Sequence, residues 1–224
     1  MITLIICVRR AAHVTHEYFE TYWRDHHGPL VTSVTGFTRH LRAYRQFHLI
    51  DCRKLSNTTG DPWHGFDGIA LLSFENSPAM RAAFQEPRFL SVLEPDTLNF
   101  GDLANSPRFL VSADGTEDPP RSRHGNITVF EFAGPGARPI LQVWTKNGSR
   151  EPQPATVARY QSIAADNVDG SNPAPPATYI TACSFTSLAQ TEGVLTHLSE
   201  RDAAASSSVG SGLIHVMARE HIFI

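Results

Sequence analysis

Two adjacent histidines, His26 and His27, stand directly before Gly28-Pro29. Imidazole is the side chain that gives or takes a proton near neutral pH. Neighbouring helical positions point about 100° apart, so the two rings cannot share one direction. His26 falls at helical spacing from Phe19, Tyr22 and Trp23, which suits a core or surface residue. His27, at the end of that run, is the candidate acid or base. The alternative is structural, with its ring satisfying a backbone carbonyl and holding the Gly-Pro break. Arg42, Tyr44, Gln46 and His48 recur at every second position and share one face of a strand. Either that face lines a polar cavity, where Tyr44 and His48 would hold a carbonyl or enolate oxygen, or it meets solvent at a sheet edge. On the last strand, Leu213, His215, Met217, Arg219, His221 and Phe223 form one face. They would either grip an apolar ring and its polar rim inside a barrel or face water.

The elements that must carry these residues can be read in order. Ile2 to Val8 is a buried strand. Thr15 caps a helix carrying Tyr18, Phe19, Tyr22, Trp23 and His26, and Gly28-Pro29 interrupts it. Leu41 to Ile50 and Phe66 to Phe74 are strands flanking a loop at Asn57 to Pro62. A helix opens at Ser77-Pro78 and runs through Phe84, and a strand follows from Arg108 to Ser112. Residues 114–125 read as a polar linker with Pro119-Pro120. The second half, 126–224, repeats the pattern: strands at Ile127 to Phe132, Val157 to Ile163, Tyr179 to Phe185 and Leu213 to Ile224, and helical pieces at Ile140 to Lys146 and Leu188 to Arg201. Arg42-Ala-Tyr44-Arg-Gln46 resembles Ala158-Arg-Tyr160-Gln161, and Trp23 with Gly28 resembles Trp144 with Gly148, which supports an internal duplication.

The expected fold is therefore α+β: two ferredoxin-like βαββαβ halves, 1–113 and 126–224, fused into one dimeric-α+β-barrel-like unit. The bare faces of its two antiparallel sheets would meet, with the helices outside. The space between them would be a packed core or a ligand cavity into which His27 projects. With 224 residues, 41% hydrophobic and 18% charged, the chain has ample material for a core. A net charge of -3 gives no reason to expect nucleic acid or an anionic membrane as partner. Cys7, Cys52 and Cys183 form no CxxC pair, so neither a disulfide scaffold nor a zinc site is indicated. The eleven histidines show no HxH, HExxH or facial-triad spacing. Gly134-Pro-Gly136 and Gly210-Ser-Gly212 lack nucleotide-loop form. No cofactor and no metal are expected. The opening apolar run is too short for a secretion signal, and the expected location is cytoplasmic.

Tyr22-Trp23-Arg24-Asp25-His26-His27-Gly28-Pro29-Leu30-Val31 resembles the helix motif of the EthD family, an aromatic pair ahead of His-small-Pro-Leu. Leu41-Arg42-Ala43-Tyr44 with His48, then Phe66-Asp67-Gly68, then Glu94-Pro95-Asp96 to Phe100-Gly101-Asp102 follow in the family's order, over roughly residues 1 to 112. The second half matches only in outline. The resemblance implies an enzyme acting on a small, hydrophobic, oxygenated intermediate, as polyketide cyclases, dehydratases and decarboxylases do. Reaction would pass through an enol or enolate, with His27 moving the proton, Tyr44 and His48 holding the oxygen, and Tyr22, Trp23, Arg42, Gln46, Asp67, His215, Met217 and Arg219 around the substrate. A monooxygenase of a phenol or anthrone that uses O2 without metal or flavin is the alternative, and a non-catalytic accessory or ligand-binding protein is a third. Haem-binding enzymes in the same barrel superfamily keep an axial role for His27 or His48 open by analogy. The second half has Lys146-Asn147-Gly148 where the first has the histidines, so one active site per chain is expected. The chain would be a monomer with an internal pseudo-dimer, or a homodimer.

Overall fold

In the computed structural model, residues 1–51, 66–113, 127–134, 154, 156–162, 179–194, 196 and 213–224 are described. The expected loop at 57–62, the linker, the helical piece at 140–146 with Trp144, the loop at 167–176 and the far end of the 188–201 helix lie outside these residues. Eight strands are present: β1 (Ile2–Val8), β2 (Leu41–Asp51), β3 (Gly68–Phe74), β4 (Arg108–Ala113), β5 (Ile127–Ala133), β6 (Thr156–Ser162), β7 (Tyr179–Phe185) and β8 (Leu213–Ile222). They form one closed antiparallel barrel in the order β1-β3-β2-β8-β5-β7-β6-β4.

That closure overturns the expected α+β architecture of two ferredoxin-like sheets laid face to face with helices outside. The halves are joined edge to edge by backbone pairing. Arg45 to Asp51 of β2 run against Ile222 to Met217 of β8, and Val111 to Ala113 of β4 run against Ser162 to Tyr160 of β6. An open edge leaves a row of unpaired N–H and C=O groups, and closing the sheet on itself removes every such edge. Helices are few and short among the described residues. The longest α-helix among the described residues, α4 (Ser77–Phe84), has eight residues. No helix among the described residues is long and apolar enough to cross a membrane.

Side-chain alternation sorts the barrel into an inside and an outside. Ile5, Cys7, Phe47, Ile69, Leu71, Phe109, Val111, Phe130, Phe132, Ile180, Val216 and Ala218 belong to one buried cluster that fills the interior. Its rings interlock: Phe47 meets Phe130 edge-on at 4.8 Å, and Phe109 lies 5.8 Å from Phe132. Two hydroxyl pairs bridge strands at corresponding registers, Thr3 with Ser73 at 3.0 Å and Thr128 with Ser184 at 2.9 Å. Arg45 and Glu220 form a 3.5 Å ion pair across the β2–β8 seam, both almost wholly buried. Among the described residues the interior is thus a core of packed side chains, and His27 lies outside it, against Phe100 of a second cluster. Of the two alternatives for the final strand, the barrel interior is not where Met217 lies: Val216 and Ala218 face inward, while Met217 packs outside with Val129, Cys183, Phe185 and Val194.

The outer face of β1, β2 and β3 is covered by a helical layer. Thr15 caps α1 (His16–Tyr22), accepting from Tyr18 N–H at 3.1 Å. The chain then passes through a π-turn, Trp23–His27, into α2 (Gly28–Ser33) and α3 (Thr35–Thr38). A second π-turn, Phe89–Leu93, leads into α5 (Glu94–Thr97). Phe19, Trp23, Phe37, Met80, Leu93 and Phe100 pack down onto Leu4, Val8, Tyr44, Leu72 and Phe74.

One close approach fixes this layer. A Cβ at position 68 would lie 2.3 Å from the Trp23 ring and 3.2 Å from the Phe47 carbonyl oxygen. Gly68 therefore seats the indole directly on the sheet. Gly68→Ala is expected to lower stability by about 1–3 kcal/mol through overpacking. Gly193→Ala, where an added Cβ meets nothing within 4 Å, should be neutral or stabilising in its helical segment. Thermal melts of the two variants side by side check this, and equal melting points would refute it.

Candidate functional site

The site is built on the outer helical layer. From α1 into the π-turn, the spacing of Phe19 and Trp23 turns both into the core, and each is essentially inaccessible. Their rings meet at a tilt with centroids 5.2 Å apart, and both lie against Phe100. Gly28-Pro29 does not stop the helix, as the sequence suggests, because Gly28 keeps right-handed helical angles (φ -57°, ψ -53°). The disturbance is absorbed instead as a π-turn, in which Gly28 N–H donates to Trp23 O, five residues back. A Cβ at Gly28 would fall 2.3 Å from the Phe223 ring, so glycine here lets the last aromatic of the chain press against the helix.

At the end of that turn His27, 8% exposed, lies with its ring 4.7 Å from Phe100. Its Nδ1–H donates to Asp96 Oδ2 at 2.7 Å. The other carboxylate oxygen, Oδ1, accepts from the Tyr22 hydroxyl at 2.7 Å and from Asn99 Nδ2 at 3.2 Å, and Asn99 Nδ2 also reaches the Tyr22 oxygen at 3.1 Å. Burial works to raise the Asp96 carboxyl, but the bonds from His27, Tyr22 and Asn99 outweigh it and hold the group below the ordinary carboxylate range. Burial first, and then the neighbouring Asp96 carboxylate, push the Tyr22 phenol up to about 12. An ionised carboxylate only accepts, so it fixes the proton of neutral His27 on Nδ1 and leaves a lone pair on Nε2. Nε2 has no hydrogen-bond partner among the described residues, and it is not among the buried unpartnered atoms. The arrangement is a carboxylate-oriented imidazole with one nitrogen available.

Gln46 lies beneath Trp23. Its Nε2 donates to Trp23 O at 3.0 Å and to the Tyr44 hydroxyl oxygen at 2.7 Å. His48 Nε2 donates to Gln46 Oε1 at 3.1 Å, and His48 Nδ1 meets Glu20 Oε2 at 2.8 Å. Tyr44, Gln46 and His48 do share one face, as the alternation suggests, and that face lies under the helices. Both His48 nitrogens are engaged, its ring is sandwiched against Trp23 at 4.7 Å and His221 at 4.8 Å, and the buried Tyr44 phenol is pushed well up by desolvation. His48 has no nitrogen free to hold a substrate oxygen, and the Tyr44 hydroxyl, which accepts from Gln46, is buried beneath the helices.

The other candidates are dispersed. Tyr22 joins the His27 network and Trp23 is a core anchor. Arg42, at a register shift between Leu41 and Ala43, pairs on the surface with Glu75 at 2.5 Å. Asp67 accepts from Arg10 N and Arg10 Nε and pairs with His16 Nδ1, each at 3.1 Å, tying the end of β1 to the start of α1. Met217 is in the outer cluster of the second half, Arg219 is exposed, and His215 is known only by its backbone register opposite Glu131. Asp96 and Asn99 were missed as site residues. Asp96 lies 69 positions from His27, and its one signal is its place in the acidic Glu94-Pro95-Asp96 run. An open depression of about 450 Å³ lined by His13, Val14, Thr15, Tyr18 and Asn99 abuts the network at Asn99. No group of three or more His, Cys, Asp or Glu side chains among the described residues could hold a metal ion.

The family model for the EthD domain matches residues 11–104, the stretch that contains Tyr22, His27, Asp96 and Asn99. No curated protein sequence matches the chain. Among solved structures, the chain is similar to an anthrone oxidase-like protein, with a TM-score of 0.58 and 8% identity over 99% of this chain and 92% of that one. It is also similar to a candidate monooxygenase from Fusobacterium nucleatum, with a TM-score of 0.56 and 5% identity over 100% and 92%. A candidate monooxygenase from Lactobacillus acidophilus gives a TM-score of 0.52 and 7% identity over 98% and 92%. At these identities the likeness is one of fold.

The depressed Asp96 carboxyl carries a sign. A group whose folded pKa lies below its unfolded value stabilises the fold above the unfolded value, and that contribution is lost as pH falls through the folded one. The melting-point gap between wild type and Asp96→Asn should hold steady from about pH 7 to about pH 5 and narrow below about pH 4. A gap independent of pH would remove the carboxylate from the network.

Proposed function

From the EthD domain that residues 11–104 carry, we propose that this chain is a small-molecule enzyme in which His27, oriented by Asp96, removes a proton from a hydroxylated or enolisable aromatic substrate. The observation that carries this reading is the 2.7 Å His27–Asp96 bond with Nε2 left open. Such a pair supplies a correctly protonated, held base, and general base catalysis of this kind contributes about 10²–10⁴-fold. Phe100, Tyr22 and Phe223 give the surroundings an aromatic character suited to a planar, largely apolar molecule.

The anion so formed has two fates. It can reduce O2: a ring methylene becomes a carbonyl, one oxygen atom entering the product and the other leaving as water. The structural neighbours described as anthrone oxidase-like and as candidate monooxygenases favour this route. It can instead react without O2, by cyclisation, dehydration or decarboxylation, with His27 returning the proton. The same imidazole serves removal and return, which supports the lyase reading on chemistry alone.

Turnover of anthrone, followed by quinone formation and an oxygen electrode, tests the first route, and loss of water or CO2 from a β-hydroxy or β-carboxy aryl ketone tests the second. His27→Gln should reduce turnover about 10²–10⁴-fold while leaving the melt nearly unchanged. One O2 consumed per quinone formed supports oxygenation, and water or CO2 lost from the second probe equally in air and under argon supports the lyase route. Undiminished turnover in His27→Gln overturns the proposal, as does a ligand that binds and is recovered intact.

A further inference from the structure

Gln46 is fully buried, and its amide is bound on three sides. The Trp23 carbonyl can only accept, so it fixes which end of the amide is NH2, and the bond from His48 to Oε1 follows from that. Trp23 O is also the acceptor of the π-turn, receiving Gly28 N–H. In α geometry the same oxygen would receive the N–H of His27, four residues on. The choice between those registers decides how His27 is rotated about the helix axis, and in the π register observed Nδ1 lies on Asp96. π-turns recur where a side chain must be re-aimed for function.

Three contacts meet at this turn. Trp23 rests on Gly68 from below, Phe223 presses on Gly28 at the far end, and Gln46 takes the turn's own carbonyl from the sheet side. The first two are apolar and set height. Only the Gln46 bond is directional and addressed to the oxygen whose partner defines the register. It is itself held: Tyr44 and His48 brace the amide, and Glu20 braces His48.

We propose that Gln46 is the positioning residue for His27. By donating to Trp23 O it keeps the turn at 23–27 in π register, which holds His27 Nδ1 on Asp96 and leaves Nε2 turned outward. This deepens the acid–base reading of His27 and rests on it for its catalytic meaning. The geometric claim stands separately.

Two substitutions separate the donor from the rest. Gln46→Glu keeps an acceptor for His48 but cannot, as a carboxylate, donate to Trp23 O. Gln46→Met keeps the size and loses every bond. The readout is the hydrogen-bonded Nδ1–H proton of His27 in the NMR spectrum, assigned by its disappearance in Asp96→Asn. That resonance should vanish in both variants at temperatures well below their melts. With a turned-over substrate, kcat should fall about 10- to 100-fold with KM little changed, the mark of a misaimed base. Loss of the resonance in a protein for which wild type shows no turnover retires the enzymatic reading and supports the positioning. An unchanged resonance and kcat in folded Gln46→Glu overturn it. So does a Gly28 amide in the unsubstituted chain that exchanges hydrogen as fast as an exposed one, which needs no variant to fold.

Discussion

The indole of Trp23 rests where the side chain of residue 68 would be, and the height of the helical layer over the sheet follows from that contact. Protein interiors are packed densely enough that a displacement of one methyl group is felt by the neighbours. With the ring seated, the Trp23 carbonyl comes within reach of Gln46, His48 stacks on the indole, and Phe100 closes over the other side. Phe100 in turn supports His27. Each polar contact of the site depends on this apolar one, because the hydrogen bonds are directional and the ring sets the distances over which they act.

Closure of the barrel explains why the site lies where it does. Eight strands enclose a space just wide enough for side chains, and here phenylalanines from both halves fill it. The candidate site, His27 with Asp96, lies instead in the outer layer. There the helices of the first half create partly covered positions with walls of their own. The Arg45–Glu220 pair sits at the seam between halves. A buried ion pair contributes little net stability because desolvation offsets attraction, so its consequence is that the two charges must face each other for the β2–β8 register to hold.

Two histidines of similar burial are treated in opposite ways. His48 has both nitrogens committed, to Gln46 and Glu20, and serves as a brace. His27 has one nitrogen committed, to a carboxylate that three donors keep ionised. The second pattern leaves a lone pair on a ring that cannot rotate, which is what a base requires. The distinction lies in the partner count and not in residue type.

The sequence by itself determined the strands, the Thr15 cap and the helix from Ser77 to Phe84, and it singled out His27 as a candidate, because alternation, capping residues and a short motif are local signals. It also placed Tyr44, Gln46 and His48 on one face, since strand geometry guarantees it. It could not tell whether that face looks into the barrel or under the helices, because both sides of these strands are buried and alternation loses its polar contrast. Nor could it tell that sheet edges meet in a ring: backbone pairing between β2 and β8 or β4 and β6 is blind to side-chain type. The tertiary structure alone decided that Asp96, 69 positions away, is the partner of His27. It alone turned the Gly28-Pro29 interruption into a π-turn, because the carbonyl that defines that turn is shared with a glutamine brought to it by the fold.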